Sequence, residues 1–330
     1  MQEEKKQPFR VKSGVAKEKT RFCFYGPESV GKTTLAAGAP NPIFVDIEDG
    51  SSNLNVDRAI FDNDGFESVV PESYDDIVSF IVMLTTSDHD YKTIVIDSMD
   101  RLQSLIWDFC IKRDSGSKND LNKSGKKITS IESYGYGKGY NLAADELRYF
   151  LRLLDGLRKR KNMDVILIGH SYVRVFHSPE SDSYDRYSIR CHATFTSTIK
   201  EWVDVLGFVT FEEGSERHGD EKAKGWSTNR RIMKLRRTAA YDAKSRIPLP
   251  STITLPINPW PTFAAAVDRA RNSTQDQILN MIRDEVTRIG DSELAKKVGK
   301  AVAVDLDVPT LNQYLAKLVD TETKNTEKEE

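Results

Sequence analysis

Long apolar runs are missing from this 330-residue sequence. None approaches the ~20 residues a membrane helix needs, so no membrane span is expected. The opening stretch MQEEKKQPFRVKSG has no apolar segment of the kind a secretory signal carries. Cysteine is scarce too. Cys23, Cys110 and Cys191 are far apart and lack metal-ligand spacing, so free thiols in a reducing, cytoplasmic setting are expected. Net charge is almost absent. The 48 basic and 50 acidic residues leave a formal −2, so any nucleic-acid binding must come from a local patch. What remains is 38% hydrophobic and 30% charged, enough for one large or two modest globular domains. There are no internal repeats.

Residues 1–20 are polar and read as a flexible arm. From Arg21 onward, strand and helix patterns alternate. RFCFY, PIFVDIE (Pro42–Glu48), KTIVIDS (Lys92–Ser98) and MDVILIGH (Met163–His170) are short apolar runs rich in β-branched residues, the pattern of strands buried on both faces. Helical spacing marks Tyr74–Ser87, Met99–Lys112 and YNLAADELRYFLRLLDGLRKR. Between the last two lies a glycine- and lysine-rich loop. After His170 the pattern predicts a hairpin turning at SPESDS, then strands in EWVDVLGFVTFEE and NRRIMKLRRTAA and a proline-punctuated end to the sheet. This layout is α/β, with a mostly parallel central sheet covered by helices. It divides into an arm (1–20), a core (21–262), a small C-terminal helical appendage (263–319) and an acidic tail (320–330).

GPESVGKT, Gly26–Thr33, satisfies G-x-x-x-x-G-K-[ST] between a strand and a helix. Gly26 and Gly31 let the backbone bend so that successive N–H groups point at phosphates. Pro27, Glu28, Ser29, Val30 and Thr34 complete the cradle. Lys32 is placed to reach the β- and γ-phosphates, and Thr33 to offer a hydroxyl to Mg²⁺. Asp97 ends an apolar strand, where ligands of open α/β sheets collect, and suits the Mg²⁺ shell. Asp46, Glu48 and Asp49 cluster past another strand tip, and a carboxylate there suits activation of water. His170 ends a further strand and suits contact with the γ-phosphate. Lys244 and Arg246 are two apart, so in a strand they point to one side and suit a phosphate in cis or in a neighbouring subunit. Two segments interleave cations with aromatics, the composition that suits single-stranded nucleic acid. The first, near Gly116–Gly139, has Lys118, Lys123, Lys126, Lys127 and Lys138 with Tyr134, Tyr136 and Tyr140. The second, after His170, has Tyr172, Arg174, His177, Arg186, Tyr187 and Arg190.

In this order the motifs resemble the RecA-type P-loop ATPase core over roughly Arg21–Pro259. YGPESVGKTTLA is very similar to the RecA P-loop, including its Pro-Glu-Ser. IFVDIEDG resembles the strand whose glutamate activates water, and the resemblance selects Glu48 from the three acids. TIVIDSM resembles the Walker B strand. VILIGHS falls where the family has a γ-phosphate-sensing residue, usually glutamine; here it is His170. AKSRIPLP resembles the lysine-rich element that RecA protomers insert into a neighbour's ATP site. The two basic–aromatic segments fall where the family has its DNA-binding loops. The trimmed ends look like the compact RecA-like proteins of bacteriophages. The resemblance implies an ATP- and Mg²⁺-dependent ATPase acting on single-stranded DNA in recombination, annealing or replication. It implies a homo-oligomer with ATP at the subunit boundary, a single-strand-binding protein as companion, and an infected bacterial cytoplasm. A RecA-fold helicase and an ATP-gated adaptor are the alternatives.

Overall fold

The computed structural model describes residues 18–63, 65–115, 121, 125, 127–178, 182–216 and 224–272, with positions 279, 280, 282 and 284. Most of the expected arm, most of the helical appendage and the whole acidic tail lie outside the described residues, as do Lys118, Lys123 and Lys126.

The apolar runs become the centre of one sheet. β1 (Arg21–Gly26), β2 (Pro42–Asp46), β6 (Thr93–Asp97) and the first half of β7 (Asp164–Phe176) are buried almost throughout. They are joined by β3 (Asp57–Arg58), β9 (Val205–Glu216), β10 (Lys224–Lys234) and β12 (Thr252–Leu255) in the order β12-β10-β9-β1-β7-β6-β2-β3. From β9 to β3 every pairing is parallel; β10 and β12 close that end antiparallel. Two short strands, β4 (Phe61–Asn63) and β5 (Phe66–Ser68), pair apart from the sheet. The P-loop strand β1 is central, and β7 separates it from β6, which ends in Asp97.

Side chains alternate across the sheet because a strand has a period of two. Cys23 and Tyr25 of β1, with Ile94 and Ile96 of β6, face one core. That core is covered by α2 (Tyr74–Thr86), α3 (Met99–Asp114), α4 (Lys138–Arg160) and α5 (Ala193–Trp202). Phe22 and Phe24 face the other core, with Val95 and Ile166, under α1 (Lys32–Ala37) and α6 (Pro259–Asn272). Phe263 of α6 is wholly buried there, edge-on to both Phe22 and Phe24. In α4, Ala143, Leu147, Phe150, Leu154 and Leu157 recur at three- and four-residue spacing and are all buried. α2 starts with a capping box: Ser73 Oγ accepts from the Asp76 N–H, and the Asp76 carboxylate accepts from the Ser73 N–H.

Two expectations are corrected. Glu201 and Trp202, expected in a strand, end helix α5, and β9 begins only at Val205. The loop before α4 is not wholly irregular: Ile128 and Ile131 are buried, and a short 3-10 turn spans Glu132–Tyr134. The expected hairpin is present. β7 runs past His170 to Phe176 and pairs antiparallel with β8 (Tyr184–Ile189).

Candidate functional site

The site is built at the carboxyl ends of β1, β2 and β6 and at the middle of β7, where His170 is opposite Gly26. Gly26 ends β1 so close to β9 that a Cβ on it would collide with the Val209 carbonyl. Gly31 sits at φ 88, in the left-handed region, and starts α1. Between them the loop folds around Lys32. This side chain is buried, and its ammonium donates to the carbonyls of Gly26 (3.0 Å) and Pro27 (2.7 Å). Burial lowers the Lys32 pKa, opposed by Asp97 and Asp100.

Thr33 Oγ1 donates to Asp97 Oδ2 at 2.8 Å, so the two residues expected to hold the metal are in contact. Asp97 is buried, and burial pushes its carboxyl up to about 6, with Asp46 and Glu48 adding repulsion and the Thr33 hydroxyl opposing. A carboxylate crowded by other carboxylates beside a hydroxyl is a donor set that suits a hard divalent cation. Mg²⁺ held by Thr33 and Asp97 would neutralise charge on bound phosphates.

The three acids after β2 have different tasks. Asp46 is fully buried and shapes the turn, accepting from the backbone N–H groups of Glu48, Gly50 and Ser51. Asp49 adopts φ 57 at the turn's tip. Glu48 instead reaches across to β6 and β7, accepting from Ser98 Oγ at 2.5 Å, with its other oxygen 3.9 Å from His170 Nε2.

His170 is tied to residues not singled out as site residues in the sequence. Its Nδ1 lies 2.9 Å from Asp100 Oδ2, on the first turn of α3. The same oxygen accepts from Arg190 Nη2 at 2.9 Å, and Arg190 Nη1 reaches Glu28 of the P-loop at 3.2 Å. A continuous polar chain therefore runs Glu28–Arg190–Asp100–His170–Glu48–Ser98. The Asp100 hydrogen bond raises the His170 pKa against burial. Burial works to raise Asp100, but hydrogen bonds from His170 and Arg190 hold its carboxyl well below the usual range. Ligand atoms of Glu48, Asp100 and His170 lie within 4.8 Å of one another. Arg190 and His170 both hydrogen-bond Asp100, so this carboxylate already has partners within the protein. Arg190 was legible only as one more hairpin cation, and Asp100 only as an acid three residues beyond Asp97.

Lys244 and Arg246 do turn to one side, but at the opposite end of the sheet. β11 (Lys244–Ser245) pairs with Leu206 and Val205 at the start of β9. Val205 is opposite Phe22, four residues before Gly26 and so about 13 Å away along the strand. Lys244 Nζ donates to the carbonyls of Lys200 (2.7 Å) and Val203 (3.0 Å) at the end of α5, where helix carbonyls lack partners. Arg246 donates to Asp204 (3.0 Å) and the Glu201 carbonyl (2.7 Å). With Lys200 and Arg237 these side chains line a cavity of about 590 Å³, which also holds Glu201 and Asp242.

The two basic–aromatic segments are only partly surface. Tyr134 is buried, its hydroxyl donating to the Cys110 carbonyl. Arg186 is buried, 2.7 Å from Asp242. Tyr140 stacks on His192 with ring centroids 3.9 Å apart. These residues hold the fold. Tyr136, Arg174, His177 and Lys138 remain exposed.

An AAA domain family model, AAA_24, matches residues 18–247. Among solved structures, the crystal structure of the RadB recombinase is similar at 15% identity and a TM-score of 0.38, covering 74% of this chain and 89% of that one. No curated protein sequence matches.

Proposed function

Since this chain belongs to the AAA domain family, we propose that it is a Mg²⁺-dependent ATPase of RecA-like, compact bacteriophage type. It acts on single-stranded DNA in recombination or annealing, alongside a single-strand-binding protein. The observation that carries this reading is the polar chain from Glu28 to Glu48. It joins the phosphate loop to His170, and His170 sits at the root of the exposed hairpin.

In this reading the P-loop from Gly26 to Thr34 cradles the phosphates. Lys32 exchanges its two backbone carbonyls for phosphate oxygens. Glu48 accepts a proton from water as that water attacks the γ-phosphorus and ADP departs. A γ-phosphate near His170 Nε2 competes with Glu48 for that nitrogen. The polar chain then rearranges as far as Arg190, which lies just beyond β8, and the hairpin changes its grip on DNA. Lys244 and Arg246 of one protomer leave the α5 carboxyl end and complete the ATP site of the next. The protein accordingly works as a homo-oligomer.

The test is the ATPase rate with and without single-stranded DNA. Wild type is expected to be stimulated, whereas Lys32→Ala and Arg246→Ala are each inactive alone. Mixing the two variants restores activity in protomer pairs that combine one intact P-loop with one intact Arg246. A mixture as inactive as its parts removes the shared site. Wild-type turnover that is indifferent to DNA removes the DNA-coupled reading.

A further inference from the structure

A cation that sequence reading passed over stands against the P-loop. Arg231 lies on β10, opposite Phe211 of β9 and Leu255 of β12. The β9–β10 register slips between Ser227 and Arg231, and Asn229 takes φ 55 within that irregularity. Bulges of this kind commonly re-aim a side chain beside a site. Here the Arg231 guanidinium is brought against Gly31, with Nη1 2.5 Å from where a Cβ on that glycine would sit. Its hydrogen bonds go to the carbonyls of Pro256 (2.9 Å) and Ile257 (3.5 Å). Among the described residues no carboxylate pairs with it. Its neighbour Arg230 differs, holding Glu212 with both arms of its guanidinium. Arg231 is thus a permanent charge with no acidic partner among the described residues, held against the P-loop.

Its side of the loop decides which phosphate it meets. The residues suited to the chemistry, Asp97, Glu48 and His170, lie on the β7–β6–β2 side of β1. Arg231 approaches from the β9–β10 side. A triphosphate with its γ end at the first group leaves its α-phosphate toward the second. We propose that Arg231 binds the α-phosphate of the nucleotide, a contact common to ATP and ADP. The proposal rests on the nucleotide-binding reading above.

Affinities of ATP and ADP for Arg231→Met and Arg231→Lys test it, with Lys32→Ala as the reference. A charge-assisted hydrogen bond predicts that Arg231→Met weakens both nucleotides by a similar factor, about 10- to 100-fold, with Arg231→Lys between it and wild type. The thermal midpoint of the nucleotide-free protein is expected to stay within a few degrees of wild type. ADP affinity unchanged in Arg231→Met overturns the proposal, as does a loss confined to ATP, which would put the contact at the γ-phosphate. A lowered midpoint with unchanged affinities also overturns it, leaving Arg231 as a strap to Pro256. Failure of wild type to bind either nucleotide sinks the nucleotide-binding reading itself, a result separable from all of these.

Discussion

The two ends of the central sheet carry opposite chemistry. At the carboxyl ends of the strands, Glu28, Glu48, Asp97 and Asp100 act on the buried Lys32 ammonium, and burial sets Lys32 low and Asp97 high. At the amino ends, Lys200, Arg237, Lys244 and Arg246 share a cavity with only two carboxylates, Glu201 and Asp242. The first end is rich in acids set around one buried lysine. The second is rich in cations already occupied with backbone carbonyls and acids. Faces that differ in this way complement each other head to tail rather than across a two-fold axis. In the assembly proposed above, one protomer finishes another's site without any residue serving both roles in one chain.

The contrast breaks most sharply at its acidic end. Glu48→Gln keeps the Ser98 contact but removes the proposed base. We expect turnover to fall about 10²- to 10⁴-fold, with nucleotide affinity close to wild type in a direct binding assay. Full turnover in this variant would return the choice of base to another acid.

Phe263→Ala tests whether both ends hang on one body. This side chain is fully buried against Phe22 and Phe24 of the P-loop strand. Its truncation is expected to cost about 3–5 kcal/mol. Urea unfolding should then show one transition moved as a whole. A second transition would mean that the α6 side unfolds by itself.

Asp97→Asn sharpens the comparison by trading activity for stability. The folded Asp97 pKa, about 6, lies above its ordinary value of 3.8. The folded state therefore binds the proton more tightly, and stability is lost as pH rises from about 4 through 6. At pH 8 the ionised carboxylate costs at most roughly 3 kcal/mol. The amide variant should be the more stable at pH 8 in nucleotide-free urea titrations and lose that advantage at pH 4. Equal stability at both pH values would contradict the burial argument.

The smallest effect belongs to His170. Its pKa is raised above 6.5 by Asp100, so the pair's contribution is complete below 6.5 and fades as pH rises through the folded value. Asp100, whose pKa is depressed, keeps its share until the pH falls below its ordinary 3.8. The midpoint of nucleotide-free protein should decline gently from pH 6 to 8, and His170→Gln should flatten that slope. An unchanged slope would place the titrating group elsewhere.

How much of this could be read from the chain depends on how local each signal is. The buried parallel strands were legible because residues hidden on both faces make unbroken apolar runs. The P-loop was legible because phosphate binding there uses contiguous backbone. Helix α5 was missed because ATFTSTIKEW is rich in threonine, a poor helix former. What holds it is largely tertiary: Phe195 and Ile199 are buried in the core, with a local cap in which the His192 ring accepts from the Thr194 N–H. Asp100, Arg190 and Arg231 were not recognised because each reaches the site from a separate element. Arg186 and Tyr134 looked like surface cation and surface ring. Nothing in sequence announces the Asp242 and Cys110 partners that draw them inside.

The unbroken course of β7 has a mechanical consequence. From His170 to Phe176 the strand continues for six residues, about 20 Å at ordinary strand rise. Its near end is tied through Asp100 and Arg190 to Glu28 of the P-loop, and its far end carries Phe176 against Tyr184 of β8. Such a rod is a lever with its fulcrum at the histidine. A tilt of about 5° at the fulcrum carries the tip nearly 2 Å, by the same ~20 Å arm. A small displacement at His170 is thus amplified to the size of a hydrogen-bond exchange where the hairpin meets its surroundings.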